Sequence, residues 1–388
     1  MIQLSPHDEF LSSMDKHRRL QLPNMVTGDL CLETGLDVGD GTRTMYRPGQ
    51  RHSSYVYSVA QRFPDEWFGT IFVISPLIAS LYGVTPKIRK SSARRNGICL
   101  YLNSRAIVLF KHKSLGLPVG QCSRIASIPR LVRNAGEIGL QRFIEGFQYA
   151  DGSFVGGTSP CIRLTTSSVK LREDLARMAE RLSVRHSVSK DHPDVGFSLR
   201  ISRDESMRRW MDYIPLLNPV QIAKFLTWQK YSECPAGLFL SQYLELAFGD
   251  ISLRKFSMNS QRKLDRVPLF QESVDLVTRF ALSEGPVSMV DLARRTVART
   301  IYDAKKSVDR LNHLGFVKLS ILNGRCIVSL PPAGLESVDA FQEAWGVLRR
   351  INPRIFPLKS YEDRIIAETE CRGKPRLVNK TLTLASSA

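Results

Sequence analysis

Glu33-Thr34-Gly35-Leu36-Asp37-Val38-Gly39-Asp40-Gly41 and Ile144-Glu145-Gly146-Phe147-Gln148-Tyr149-Ala150-Asp151-Gly152 follow one pattern. Each has a small residue at its third position, another at its seventh, and then Asp-Gly. The two aspartates lie 111 residues apart, a period that suggests a domain built twice. Residues i and i+4 share a helix face, so Gly35 goes with Gly39 and Gly146 with Ala150. Small side chains at that spacing let two helix backbones approach closely, a rule documented best in membranes but steric in origin. These four are the expected helix-interface residues. Asp40 and Asp151 then fall at the foot of each helix, with Gly41 and Gly152 ending it. A carboxylate there opposes the helix macrodipole, at a cost of about 0.3–1 kcal/mol. Two such carboxylates side by side also repel. A divalent cation removes both penalties, because hard cations take carboxylate and water oxygens.

The segments after the two motifs repeat in the same order. In the first half, Thr42–Tyr46 and Ser54–Gln61 read as a strand pair around Arg47-Pro48-Gly49. Phe68–Tyr82 is an apolar helix closed by Gly83. Thr85–Lys90 and Ile98–Asn103 are two more strands, and Ser104–Lys113 is a short helix before Leu115-Gly116-Leu117-Pro118. In the second half, Ser153–Val155 and Ile162–Thr166 form the first strand pair, and Val169–Leu182 is a charged helix. Arg185–Lys190 and Phe197–Arg203 form the second pair, Asp204–Tyr213 is the short helix, and Leu216-Leu217-Asn218-Pro219 answers the earlier Leu-Gly-Leu-Pro. Each half therefore reads α-β-β-α-β-β-α. Alternation within the strands argues a half-exposed sheet: Phe197, Leu199 and Ile201 face one way, and Ser198, Arg200 and Ser202 the other. Ile162 and Leu164 oppose Arg163 and Thr165.

On these residues the chain resembles a single-chain LAGLIDADG homing endonuclease with two degenerate motif copies, over residues 25–230. The resemblance implies an α+β, pseudo-twofold fold in which two αββαββα repeats form a saddle of antiparallel sheets. Such a saddle lies in a DNA major groove. Arg43, Lys87 and Arg89 in the first half, and Arg163, Arg185 and Arg200 in the second, are the cations expected to face DNA. The resemblance further implies that Asp40 and Asp151 bind Mg2+ or Mn2+ at the scissile phosphates and serve phosphodiester hydrolysis. A polar residue at the end of the second strand is usual in the family. Gln61 stands there in the first half, and Ser167 or Ser168 is nearest in the second. A basic residue after the Gly-Leu-Pro segment is also usual. Lys224 offers one in the second half, whereas the first has Gln121 and Cys122, with Arg124 nearby. Asp40, Asp151, Gln61 and Lys224 make up the expected catalytic set, and the missing basic residue puts cutting of both strands in question.

Composition sets the remaining bounds. The 388 residues suffice for two or three domains, and 43% hydrophobic content is ordinary for a globular protein. A net charge of +18 and a pI of about 9.8 favour a polyanionic partner, usually nucleic acid. No apolar run reaches the roughly 20 residues of a membrane-spanning helix, and the polar N-terminus shows no signal peptide. Seven cysteines lack any CxxC pair, and seven histidines show no ligand spacing, which speaks against zinc or a disulfide framework. A reducing, intracellular setting fits. With both halves on one chain, a monomer is expected, with no membrane partner.

Residues 270–332 resemble a winged helix-turn-helix. Ser273–Ser283 is an amphipathic helix ended by Gly285-Pro286. Ser288 can cap a second helix, Met289–Arg295, and Ala298–Leu314 is a third. Phe316–Ile321 and Arg325–Leu330 flank Asn323-Gly324, a favoured two-residue hairpin turn. The family places the third helix in the major groove and the wing on phosphates. Here that involves Arg299, Lys305, Lys306 and Arg310 on the helix and Arg325 in the wing. The expected organisation is thus a 1–24 extension, repeats at 25–125 and 126–230, and a helical connector at 231–269. The winged module occupies 270–332, and 333–388 carry a helix (Glu336–Arg350) and a basic tail. Three activities fit this chain: a sequence-specific, metal-dependent endonuclease on double-stranded DNA, a non-cutting DNA-binding regulator, or an RNA maturase or RNA endonuclease.

Overall fold

The structure, a computed structural model, describes residues 2–355 apart from 5–7, 46–54, 63–65, 91–96, 121–122, 158, 193–195, 236–237, 239, 250–277, 280–281, 283–284, 296–300 and 314. It divides into two compact units. The first joins Met1–Ser273 to Asp339–Phe356, and the second is built on Val274–Val338.

The first unit opens with strand β1 (Ile2–Gln3), a 3-10 turn (Asp8–Phe10) and helix α1 (Ser13–His17); β1 pairs with β2 (Met25–Val26). Asp15 is buried, and its Oδ2 both closes a capping box on Ser12 and accepts the backbone N–H of Ala106. The N-terminal extension is thereby packed into the first repeat. Thr27 caps α2 (Gly28–Asp40) through the Leu30 amide. Then come β3 (Gly41–Thr44), β4 (Val56–Arg62), α3 (Trp67–Gly69), a π-helical stretch (Thr70–Ile74), α4 (Ser75–Tyr82), β5 (Lys87–Lys90) and β6 (Gly97–Asn103). Helix α5 (Arg105–Leu109), capped by Ser104, runs into a second π-helical stretch, Phe110–Ser114. The two π segments break what the sequence presents as single helices.

The second repeat runs through α6 (Arg130–Asn134), α7 (Gly136–Asp151), β7 (Gly152–Val155), β8 (Cys161–Thr166), α8 (Val169–Arg181), β9 (Ser187–His192), β10 (Gly196–Ile201) and α9 (Asp204–Tyr213). Helices α10 (Pro219–Tyr231) and α11 (Leu240–Phe248) come next. Proline at the first helical position and the Asn218 side chain start α10. The two four-stranded sheets are antiparallel and share one order, β3-β4-β6-β5 and β7-β8-β10-β9. The twofold repetition of element order is thus repeated in sheet topology.

Register fixes which residues face the helices. In the second sheet Phe154, Ile162 and Ile201 align across the strands, with Leu164 opposite Leu199. All five are buried. The row between them, on the other face, is Ser153, Arg163, Arg200 and Ser187. In the first sheet the packed rows are Arg43, Tyr57, Leu102 and Val59, Leu100, while Thr42, Ser58, Tyr101 and Lys87 align on the opposite face. This corrects the expectation for Arg43. It is 1% exposed and turned toward the helices, so it faces no groove. A guanidinium is tolerated there because Asp37 lies beside it on α2. Arg185 precedes β9 rather than lying in it, and is exposed.

In the second unit, β11 (Val287–Ser288), β12 (Lys318–Leu322) and β13 (Arg325–Ser329) form a sheet of order β11-β13-β12. Helices α12 (Met289–Arg295) and α13 (Ile301–His313) lie between β11 and β12. Ser288 caps α12 on the Asp291 amide. Leu282, Val287, Leu292, Val308, Leu311, Val317 and Val328 form its core. Asn323 and Gly324 have φ of 50° and 71°, the left-handed values that a type I′ hairpin turn needs. Most of the expected helix Ser273–Ser283 and the connector after 249 lie outside the described residues. Helix α14 (Pro332–Ile351) closes the described chain, and from Asp339 on it belongs to the first unit. There Trp345, 2% exposed, packs on Phe72 (ring centroids 4.9 Å) and Phe68 (6.2 Å).

Candidate metal and nucleic-acid site

Helices α2 and α7 touch backbone to backbone. A Cβ on Gly35 would stand 1.8 Å from the Phe143 carbonyl oxygen, and one on Gly146 would stand 1.9 Å from that of Leu32. The two clashes are mirror images across the pseudo-twofold. One turn further on, a Cβ on Gly39 would meet Ala150 Cβ at 2.4 Å and Asp151 Oδ2 at 3.2 Å. The four small residues thus bring the feet of the helices, and with them Asp40 and Asp151, to one place. Both aspartates are half-buried. Gly41 and Gly152 end the helices in extended conformation, at φ −82° and −106°, so left-handed capping is not their role. Space is the reason for glycine at 41, since a Cβ would reach within 1.7 Å of Asp37 Oδ1.

Gln61, 3% exposed on β4, donates from Nε2 to Asp40 Oδ2 (2.8 Å) and to the Ala60 carbonyl (2.8 Å). Its Oε1 is buried with no hydrogen-bond partner, a polar atom left over beside the carboxylate. In the second half Leu164 sits opposite Gly152 as Val59 sits opposite Gly41. The residue two further along, in the place of Gln61, is therefore Thr166, not Ser167 or Ser168. Thr166 Oγ1 accepts the Ser168 amide, and Ser168 caps α8. Lys224 on α10 holds its ammonium 5.6 Å from the Tyr243 ring of α11. That contact assigns it to helix packing rather than to Asp151.

Sequence reasoning missed two features around the carboxylates. One is Tyr149, fully buried on α7, whose Oη lies where a Cβ on Gly69 would come within 2.1 Å. Burial pushes its phenol well above the ordinary range, the Glu66 and Asp40 charges add to this, and the Thr70 hydroxyl opposes it. The second repeat's helix therefore reaches into the first repeat, close to Asp40. The other is an ion network beneath the first motif. Lys111 donates to both oxygens of Glu33 (2.6 and 2.7 Å) and lies 3.0 Å from Asp37 Oδ2. Arg43 pairs with the other Asp37 oxygen and donates from Nε to the Pro118 carbonyl. Tyr57 and Tyr82 hydroxyls also donate to Glu33, and burial, with the Glu33 and Asp37 charges, raises both phenols well above the ordinary range. Two cations balance two anions. Glu33 and Asp37, one turn apart on a buried face, were the signal in the sequence that cations had to meet them. The second repeat fills the equivalent places without charge. Gln148 accepts from Trp210 Nε1 (2.7 Å), and Phe154 stands where Arg43 does, against Phe225 and Trp228.

Among the expected DNA-facing residues, Lys87, Arg185, Arg200, Lys305 and Arg325 are exposed and Arg163 is half-buried. Arg299 and the side chains of Arg89, Lys306 and Arg310 lie outside the described residues, as do Gln121 and Cys122. Cys31 and Cys234 are buried, with thiols pushed up to about 11, far from a reactive thiolate. Among the described residues, no three His, Cys, Asp or Glu side chains gather to hold a metal. A cation at Asp40 and Asp151 would complete its shell from water and substrate, the habit of magnesium at phosphates. No helix among the described residues is long and apolar enough to cross a membrane.

Residues 140–215, which hold α7, its motif and the second sheet, match the LAGLIDADG-like domain family. Among solved structures the chain is similar to the homing endonuclease I-DmoI in complex with DNA and Mn. Identity is 20%, over 48% of this chain and 96% of that one, with a TM-score of 0.37. It is also similar to a variant of I-SmaMI, at 13% identity over 62% of this chain and 97% of that one (TM-score 0.37). No curated protein matches the chain.

Proposed function

We propose that this protein is a metal-dependent DNA endonuclease that lays its two sheets along one duplex. The observation that carries the reading is the contact of Gly39 with Ala150 and Asp151, which delivers one carboxylate from each repeat to a shared point. The leftover Gln61 oxygen and the oxygen-only donors fit a hard divalent cation, Mg2+ or Mn2+, with Asp40 and Asp151 as its protein ligands. When bound, such an ion supplies an acidified water and charge neutralisation at a phosphate. Gln61 holds one oxygen of Asp40 and leaves the other to point outward. Lys87 and Arg200 offer charge to the duplex. The second unit is read as a winged helix-turn-helix, with α13 and the β12–β13 hairpin extending the DNA surface through Lys305 and Arg325.

A second reading, a DNA-binding regulator that does not cut, is favoured by Thr166 in the place of Gln61 and by Lys224 lying over Tyr243. A random duplex library incubated with Mg2+ or Mn2+ separates the two. The endonuclease reading expects breaks or nicks from the wild type and none from Asp40→Asn and Asp151→Asn. Tight binding to one duplex with no strand scission in either metal would leave the regulator.

A further inference from the structure

Arg163 and Arg200 face each other directly across β8 and β10, the two central strands of the second sheet. Opposed residues in an antiparallel pair hold their Cβ atoms about 4.5–5.5 Å apart, and like charges so placed destabilise a sheet. The described positions of that face (Ser153, Val155, Cys161, Thr165, Ser187, Ser189 and Ser198) include no carboxylate to offset them. Arg163 Nε is also buried without a hydrogen-bond partner. Both guanidiniums lower the Cys161 thiol against the rise that burial gives it, so both reach the same patch. In the first repeat the equivalent opposed pair is Ser58 and Tyr101, and a cation, Lys87, stands on the edge strand instead.

Given the duplex-binding reading above, on which this inference rests, the central strands of a saddle meet base edges and its outer strands meet phosphates. An arginine fork matches the O6 and N7 acceptors of guanine. Base pairs stacked about 3.4 Å apart lie within reach of two side chains at that separation. We propose that Arg163 and Arg200 each read one guanine, at neighbouring base pairs of the half-site under the second repeat. The neutral pair Ser58 and Tyr101 leaves the other half-site without that demand, so the target carries a direction.

The test is selection from random duplexes with calcium in place of magnesium. Wild type, Arg163→Gln, Arg200→Gln, Arg200→Lys and Lys87→Gln are compared, and the melting of each free protein is recorded. Wild type is expected to enrich guanine at adjacent positions on one side. Each glutamine variant should lose about 5- to 150-fold of that discrimination at one position, the worth of a bidentate contact. It should also melt no lower than wild type, because a repulsion has been removed. Arg200→Lys keeps the charge and loses the fork, so its salt dependence should stand while its guanine preference goes. Lys87→Gln should weaken all sequences alike. Unchanged guanine choice in the arginine variants overturns the proposal, and so does an equal loss across all sequences. Failure of wild type to bind any duplex overturns both this and the parent reading, whereas binding with an unaltered choice overturns this alone.

Discussion

Replacing Lys111 by methionine tests the ion network most severely. Lys111 is fully buried and sits within 3.0 Å of three carboxylate oxygens, two on Glu33 and one on Asp37. Methionine keeps the length and the packing on the Tyr57 ring, over which the ammonium lies at 4.2 Å, but strands one negative charge. Removing one partner of a buried ion pair costs about 3–5 kcal/mol, much of it the penalty of the charge left behind. Lys111→Met should therefore lower unfolding free energy by about that amount in urea titrations tracked by tryptophan fluorescence. Adding Glu33→Gln restores neutrality, with Arg43 still facing Asp37. The double variant should recover about 1–3 kcal/mol relative to the sum of the single changes, the coupling expected of residues in one network. Two results would refute the reasoning: a Lys111→Met protein within about 1 kcal/mol of wild type, or a double variant as unstable as the two singles added together.

Gly146→Ala would drive a methyl against the Leu32 carbonyl, where only backbone can give way. We expect a loss at or above the roughly 1–3 kcal/mol of ordinary overpacking, and a melting curve like that of wild type would contradict the close helix contact. Trp345→Ala should cost about 3–5 kcal/mol in the first unit, as for other buried aromatics, measured by chemical denaturation. A chain ended at residue 273 should be less stable still, because it also loses the Asn352 bonds to Glu145 and the Leu216 carbonyl; equal stability of the truncated chain would show that the return segment is dispensable. Tyr57, Tyr82 and Tyr149 all have folded-state pKa values above the unfolded one, so their stabilisation is complete below about pH 10 and is lost as pH rises. Each contributes a slope of about 1.4 kcal/mol per pH unit in that range. Tyr149→Phe should flatten alkaline denaturation by one such step, and an unchanged slope would show that Tyr149 ionises as readily folded as unfolded.

The parts of the fold that were legible in the sequence are those where one local rule suffices. Gly35, Gly39, Gly146 and Ala150 announce a close helix pair because nothing else needs small residues at that spacing. Phe197, Leu199 and Ile201 announce an inward face because the residues between them are polar. Thr42-Arg43-Thr44 offers no such contrast. Whether Arg43 points in or out depends on Asp37, whose burial comes from tertiary packing. Lys111 is 78 residues from Glu33, and its segment has no periodicity that distinguishes it from a surface lysine. Thr166 was passed over for the serines beside it because a register is a relation between strands: Gly152 opposite Leu164 fixes it, and spacing along one strand does not. Asn352 and Glu145 lie 207 residues apart, beyond any repeat or motif.

Trp345, Asn352 and Arg354 come from the far side of the second unit, yet they finish the first. On the ribosome the first 273 residues emerge well ahead of them. At the usual 5–20 residues per second, the roughly 80 residues still to come take about 4–16 s. During that interval Phe68, Phe72 and the buried Glu145 carboxylate await their covers. A nascent chain of this protein is thus an incomplete core for seconds, and a premature stop in its last third leaves it incomplete for good.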